Sequence, residues 1–299
     1  MSYMIKDLLQ IAQLRFKEAG CSDPRLDAEL LLCHVLDVDK SFLFTHYGDT
    51  VMERFGRGFF DLMDLRADGV PLQYLLGNQE FMGLNFEVSP AVLIPRQDTE
   101  TLVELAMEEI RKRRKSFRKL EILDICTGSG AVAISIARLL GDQVKMRITA
   151  SDISSPALKM AKRNAIKNKV EKIIFVEGDL FSPFVREKGE TVKPKKTFDL
   201  IIGNPPYIDT DVLPTLQREV REHEPMLALD GGEKGLQLLK RILKEAPNHL
   251  NKNGAMMLEI GHDQGEAMIE MAESYNIYTE IRVEKDLAGR DRVFIAYAR

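Results

Sequence analysis

Cysteine is scarce in this 299-residue sequence: Cys21, Cys33 and Cys126 are too few and too scattered for a disulfide framework. The five histidines offer no metal-ligand spacing, and Cys33-His34 reads as part of a helix core face, so no metal is expected. No apolar run approaches the ~18 residues of a membrane span. The first residues, Met1-Ser2-Tyr3-Met4-Ile5-Lys6-Asp7, lack the pattern of a signal peptide, and the chain is expected in the cytoplasm. The rest is ordinary for a globular protein, with 44% hydrophobic and 29% charged residues. The length gives room for a main α/β domain and a smaller one, each able to bury a core.

Charge is unevenly placed. Residues 1–83 hold 8 Lys+Arg against 13 Asp+Glu, net −5, whereas the remainder holds 34 against 33, net +1, matching the total of −4. The acidic part is also periodic in a helical sense. Ile5, Leu8, Leu9, Ala12 and Phe16 recur at helical spacing up to a stop at Gly20. Ser22-Asp23-Pro24 is a cap followed by proline at the first helical position, opening a helix that carries Leu26, Leu30, Cys33 and Leu36. Residues 51–67 and 72–76 continue the pattern, with Gly56 and Gly58 weakening the third helix. A small helical bundle is expected over residues 1–78. An acidic bundle repels phosphates and suits a basic protein partner. From Gly77 to Pro95 the pattern turns to short β-type runs (Phe81, Leu84, Phe86, Val88, then Val92-Leu93-Ile94), which predicts a β-hairpin linker over 79–95. Asp98 or Thr99 then caps a helix reaching about residue 115, with Glu100 and Glu104 in its early turns.

Two motifs carry chemistry. Asp124-Ile125-Cys126-Thr127-Gly128-Ser129-Gly130 lies between a short apolar strand and an amphipathic run at 131–140. Its glycines permit a tight turn and close approach of a ligand to the backbone. Asp152 follows 22 residues after Gly130, at the end of the next strand, where a carboxylate accepts from both ribose hydroxyls of an adenosine cofactor. Dehydrogenases share this pattern, and Ala133 even completes a G-x-G-x-x-A. The second motif, Asn204-Pro205-Pro206-Tyr207, follows the buried-strand run Phe198–Gly203, so it sits at a strand's carboxyl end, where open α/β sheets bind ligands. Two prolines fix φ and remove two backbone donors. The Asn204 oxygen and the Pro205 carbonyl remain as acceptors, with the Tyr207 ring alongside. Such a cluster can grip both N–H groups of a planar NH2 and orient its nitrogen, otherwise a poor nucleophile, for attack. An isolated match would read as a Pro-rich turn.

Between them lies Glu177-Gly178-Asp179-Leu180, after a strand over 172–176. Asp179 there can accept from an adenine amino group, while Leu180 and Phe181 wall the ring. Glycine loop, ribose acid, adenine acid, then Asn-Pro-Pro-Tyr after the fourth strand is a series that resembles the class I methyltransferases using S-adenosylmethionine. A dehydrogenase has no reason to place Asn-Pro-Pro-Tyr there.

The resemblance narrows further on Pro71-Leu72-Gln73-Tyr74 with Gly77, Ile94-Pro95-Arg96-Gln97-Asp98-Thr99-Glu100, Glu224-Pro225, Ala228-Leu229, Gly231-Gly232, Gly235-Leu236 and Gly289-Arg290-Asp291-Arg292. With the motifs above, these resemble the protein-(glutamine-N5) methyltransferases that modify peptide-chain release factors, the HemK/PrmC group, over nearly the whole chain. The resemblance implies methyl transfer from S-adenosylmethionine to the glutamine of a release factor's Gly-Gly-Gln motif, in support of translation termination. It also implies that the N-terminal bundle docks the release factor. The expected architecture is a Rossmann-like seven-stranded sheet with helices on both faces over 96–299, behind the bundle and the hairpin linker. The expected cofactor contacts are Arg96 (closing over the ligand with Pro95), Thr127, Gly128, Ser129, Gly130, Asp152, Asp179, Leu180 and Asn204. Asn204, Pro205 and Tyr207 are the expected catalytic groups, and with Pro206 they form the substrate contact. A monomer without a nucleic-acid or membrane requirement is expected. Two positions depart from the family: Cys126 stands where a glycine is usual and Gln97 where proline is frequent. Cys126 is expected to face the strand or loop interior at little cost.

The remaining runs predict a helix over 234–250, a strand over 254–260, a helix over 264–275, and a closing antiparallel pair at 278–283 and 293–297. The basic run Arg111-Lys112-Arg113-Arg114-Lys115 with Arg118-Lys119 reads as a cationic helix C-terminus rather than an RNA contact. Residues 188–196 read as a surface loop. Glu222-His223-Glu224-Pro225 either lines the substrate mouth or shapes the loop after the tetrapeptide. Rival functions stay open on the residues alone. A glutamine methyltransferase of a ribosomal protein is chemically identical. A DNA adenine-N6 or RNA guanine-N2 methyltransferase would also present an NH2 on an sp2 carbon, but the acidic front segment and the lack of a basic extension argue against it. A non-catalytic cofactor-binding scaffold conflicts with the intact acceptor cluster, and a nicotinamide oxidoreductase ranks last.

Overall fold

The computed structural model describes residues 3–113, 119–141, 143–188 and 191–299. They form two compact units: Met1–Asn78 with Leu216–His223, and Gln79–Thr215 with Glu224–Arg299.

The first unit is helical. Helix Ile5–Glu18 buries Ile5, Leu8, Leu9, Ala12 and Phe16, the five positions marked by spacing. Asp23 caps helix Pro24–Leu36 by accepting from the Leu26 amide at 3.1 Å. That helix uses the expected face in part: Leu30 and Leu36 pack partly buried against the core beside Cys33. It buries Ala28, Leu31, Leu32 and Cys33, whereas Leu26 is exposed. Four consecutive apolar residues from Leu30 to Cys33 let periodicity choose either face, and Asp27 decides, because its carboxylate is buried against Arg66 at 2.7 Å. Arg66 also reaches Glu219 at 2.9 Å, which ties Leu216–His223 to this unit. Nothing local to either residue marks that tie across 153 positions. The third long helix runs Glu53–Ala67 without a break at its glycines, and its expected first residue, Val51, instead pairs with Tyr3 in a two-residue ribbon.

The second unit is built on one sheet. Its strands are β1 (Leu120–Ile125), β2 (Met146–Asp152), β3 (Ile173–Glu177), β4 (Phe198–Gly203), β5 (Leu250–Glu259), β6 (Tyr278–Lys285) and β7 (Asp291–Ala298), in the order β6-β7-β5-β4-β1-β2-β3. The five strands β1 to β5 run parallel, and β7 and β6 close the edge antiparallel. Parallel strands buried on both faces read as continuous apolar runs, and all six residues of β4 are buried. Strand order reverses between β1 and β4, and a crevice opens outside their carboxyl ends at such a switch point. Register brings Ile125 beside Gly203 and Ser151, and Asp152 beside Glu177, so the motif-bearing loops leave the sheet side by side.

A hairpin, Asn78–Phe81 with Leu84–Glu87, precedes helix Asp98–Arg113. Glu100 of that helix accepts from the Met82 amide in the hairpin turn at 2.7 Å. Neither Asp98 nor Thr99 caps the helix as expected; Asp98 pairs with Arg292 at 3.0 Å, and Thr99 is buried. Of the basic run, Arg113 is structural: it reaches Glu109 and the Asn253 carbonyl. Arg114, Lys115 and Arg118 lie outside the described residues. The stretch expected as a loop contains paired strands, Val185–Lys188 and Thr191–Pro194; Gly189 lies outside the described residues. The helix expected over 234–250 is only Gln237–Glu245, because Lys234 and Gly235 have positive φ and Pro247 favours the short 3-10 turn before β5.

Candidate active site

The loop after β1 is shaped by missing side chains. Gly128 and Gly130 have φ of +54° and +83°, where glycine alone is unstrained. A β-carbon at Gly130 would stand 2.8 Å from Ile134 Cδ1 and 3.1 Å from Ala161 Cβ, so this glycine permits close helix packing. Gly128 faces open space. Cys126 also has a positive φ, +58°, which corrects the expectation that it costs little: a β-carbon in the left-handed region costs about 1–2 kcal/mol. Asp124 braces the turn from beneath. Its Oδ2 accepts from the Thr127 hydroxyl at 2.5 Å and from the Ala133 amide at 3.2 Å. Burial pushes its carboxyl up to about 7, the two hydrogen bonds opposing. Oδ1 is buried without a partner among the described residues. Thr127 therefore lines the crevice with its hydroxyl committed inward. Ser129 contributes its carbonyl to Asn164, a fully buried residue that also bonds both backbone groups of Glu87.

Asp152 ends β2 with its oxygens already engaged: Oδ2 accepts from the Gly128 amide at 2.8 Å and Oδ1 from Ser154 at 2.8 Å. Each carboxylate oxygen retains a second lone pair. Burial raises this carboxyl's pKa, and the amides oppose the rise. Asp179 is half exposed and pairs with Arg241 at 2.8 Å. Leu180 is buried, with φ of +46°. Phe181, expected beside it at the ligand, instead stacks on His249 at 4.7 Å in the core.

These residues share the wall of one cleft of about 290 Å³, with Arg96, Thr127, Gly128, Ser129, Asp152, Asp179, Leu180, Asn204 and Pro206 in its lining. Small-molecule sites begin at roughly that size, ~300 Å³. Gly130, Pro205 and Tyr207 are not part of the lining. The Arg96 guanidinium is tied to Glu224, whose other oxygen accepts from the Ile94 amide. Glu224 is thus a buried anchor for Arg96, rather than a residue of a substrate mouth.

At the end of β4, the Asn204 amide nitrogen donates to the Thr99 hydroxyl at 3.2 Å, which leaves Oδ1 to accept. The Tyr207 hydroxyl donates to Glu259 of β5 at 3.0 Å, and its carbonyl accepts from Gln264. The glycines downstream are explained by this backbone. A β-carbon at Gly235 would lie 1.9 Å from the Tyr207 carbonyl oxygen, and one at Gly231 would lie 2.8 Å from Tyr207 Cα. The tetrapeptide is clamped by absent side chains behind it.

The chain matches the family model for the PrmC N-terminal domain over residues 7–77 and the methyltransferase small domain over 98–231. It is 40% identical over 296 residues to the release factor glutamine methyltransferase of Moorella thermoacetica, covering 99% of each chain. The chain belongs to the release factor glutamine methyltransferase family. The Clostridium botulinum member is 37% identical, over 98% of this chain and 99% of its own. Among solved structures, the fold resembles the METTL16 methyltransferase domain (TM-score 0.50, 15% identity, 73% and 89% covered). It also resembles a T. thermophilus 16S rRNA N2 G1207 methyltransferase complexed with AdoMet and guanosine (TM-score 0.50, 15% identity, 74% and 50% covered). The sheet is therefore that of the class I methyltransferases.

Sequence reasoning passed over Thr99 as a site residue, and missed Asn164, Glu259 and Gln264 altogether. Each stands alone in its element and acts across 50 or more positions. The available hints were polar residues at the apolar end of β5 and in the first turn of a helix already supplied with acids.

Proposed function

We propose that this protein transfers a methyl group from S-adenosylmethionine to the side-chain amide nitrogen of the glutamine in a release factor's Gly-Gly-Gln motif. The observation that carries the reading is Asn204, in the cleft wall with its nitrogen turned to Thr99 and its oxygen left to accept. The cleft fits the cofactor: a glycine turn that admits a ligand to the backbone, with carboxylates at 152 and 179, gives a negative field suited to a sulfonium cation. S-Adenosylmethionine, when bound, supplies an electrophilic methyl carbon and leaves as a neutral thioether.

This chain's residues then do the positioning. Asp152 and Asp179 would hold the ribose and adenine ends, with Leu180 against the ring and the loop 127–130 receiving the remainder. Asn204 Oδ1 and the Pro205 carbonyl each accept one N–H of the glutamine amide, with Pro206 and the Tyr207 ring against its flat face. The nitrogen lone pair would thereby be oriented for attack on the methyl group that the cofactor supplies. Positive charge developing on the glutamine nitrogen would be stabilised by the same two acceptors. The extra proton leaves to solvent, since no buried base is required. The acidic first unit, matching the PrmC N-terminal domain, supports docking of a basic protein rather than a nucleic acid.

The test is a transfer assay with methyl-labelled S-adenosylmethionine, offering release factor, ribosomal proteins, DNA and rRNA separately. Label on the Gly-Gly-Gln glutamine, absent when that residue is alanine, is the expected result; label confined to a nucleobase overturns the reading.

A further inference from the structure

The cleft that is to receive a sulfonium cation carries a positive charge of its own at Arg241. Helix Gln237–Glu245 puts Leu238 and Arg241 on one face, three residues apart, and both line the cleft with Asp179 and Leu180. The Arg241 guanidinium donates to Asp179 Oδ2 at 2.8 Å. The two side chains are 44% and 45% exposed, and an ion pair so open to water contributes little to stability. Its place, at the acid proposed to meet the adenine amino group, calls for another reason.

Asp152 shows the contrast. Both of its oxygens accept from backbone amides, at Gly128 and Ser154, so the turn itself holds that carboxylate. Asp179 has no such brace: among the described residues, the hydrogen bond its carboxylate forms is the one from Arg241. The last torsion of an aspartate is broad, so a carboxylate held by water alone turns easily.

We infer that Arg241 is the positioning residue that sets Asp179 for purine recognition, taking Oδ2 so that Oδ1 meets the adenine amino group and a 6-oxo purine is rejected. The selection follows from hydrogen-bond direction. A carboxylate oxygen only accepts. It pairs with an amino group and repels the carbonyl oxygen that hypoxanthine carries at the same place. A free carboxylate swings away from that oxygen, whereas one held by Arg241 faces it. Arg241 also shares the cleft lining with Leu180 and Leu238, so its alkyl stem adds apolar surface beside the acceptor. The inference rests on the cofactor named in the proposed function.

The experiment is calorimetry on the full-length protein with S-adenosylmethionine, S-adenosylhomocysteine and S-inosylhomocysteine, whose base carries oxygen in place of the amino group. Wild type is expected to prefer S-adenosylhomocysteine over the inosyl analogue by about 10- to 100-fold. Arg241→Met keeps the stem and removes the donors. It should weaken S-adenosylmethionine and S-adenosylhomocysteine alike, by about 3- to 10-fold, and reduce the base preference to within about threefold, with the melting temperature close to wild type. Asp179→Asn gives the sharper result. Arg241 only donates, so it takes the amide oxygen and leaves the NH2 to the purine, and the preference should move to the inosyl analogue. In Asp179→Asn with Arg241→Met the amide is free to turn either way, and the preference should vanish. A base preference that Arg241→Met leaves intact overturns the inference, as does the same preference in Asp179→Asn with and without Arg241. So does an effect of charge alone, in which Arg241→Met tightens the cationic S-adenosylmethionine and leaves the neutral S-adenosylhomocysteine unaltered. Wild type that binds neither adenosyl probe counts against the cofactor reading itself, and that failure is distinct from an unaltered preference in protein that binds both.

Discussion

The loops after β1 and β4 leave the sheet side by side yet solve opposite problems. The first is made by removing side chains: positive φ at Cys126, Gly128 and Gly130 turns the backbone sharply, and its polar atoms are spent on Asp124, Asp152 and Asn164. The second is made by locking side chains: two prolines stiffen the chain, Thr99 holds Asn204, and Glu259 holds Tyr207. A loop that must yield to the contours of a large cofactor needs space and exposed backbone. A loop that must aim one nitrogen needs acceptors that do not move. On the proposed function the difference is between a surface for binding and a surface for orientation, and each should fail in its own way.

The largest expected effect is in the second loop. Asn204→Ala should lower turnover by about 10²–10³-fold, the usual loss when one transition-state partner is removed, while cofactor affinity stays near wild type in calorimetry. A large drop in cofactor affinity instead would break the division between the loops. Asp152→Ala is the converse: cofactor binding should weaken by about 10- to 100-fold, with kcat at saturation much less affected. Turnover lost without affinity would mean that Asp152 serves orientation too.

Asp124 offers a smaller, pH-dependent contrast. Its folded pKa of about 7 lies above the ordinary 3.8, so the folded protein holds the extra proton between those values. Stability from this group is full below pH 3.8 and is lost as pH rises towards 7. Denaturation of Asp124→Asn, followed from pH 4 to 8, should therefore decline less with pH than wild type; an equal slope would mean that the carboxylate is already ionised in the fold. The smallest effect sharpens the account of the first loop. Cys126→Gly relieves the left-handed strain at the expense of a side chain packed on the core, and is expected to change stability by no more than about 1 kcal/mol, with turnover unaltered.

Much of the candidate site's local structure is legible without coordinates, because its motifs are local. The glycine turn, the acid ending β2, and Asn-Pro-Pro-Tyr at the end of β4 each span a few residues whose conformational demands are written in their types. Helix Ile5–Glu18 and the seven strands of the main sheet are legible for the same reason, since their periods are short. Helix Pro24–Leu36 buries a wider face than its spacing predicts, because an apolar run has no phase and a buried ion pair helps to set it. Phe181 was assigned to the ligand because a neighbour in sequence need not point the same way: Leu180 has a positive φ, and the next ring turns into the core onto His249.

The sequence by itself determined the local conformations at the candidate site, since turn geometry, acceptor type and strand periodicity are properties of neighbouring residues. Only the tertiary structure decided how the acceptors are aimed. Thr99 and Glu259 lie 105 and 52 positions from their partners in the tetrapeptide. Their polarity acts through hydrogen bonds that exist only when the fold closes, and no local pattern records a contact that long-range packing creates.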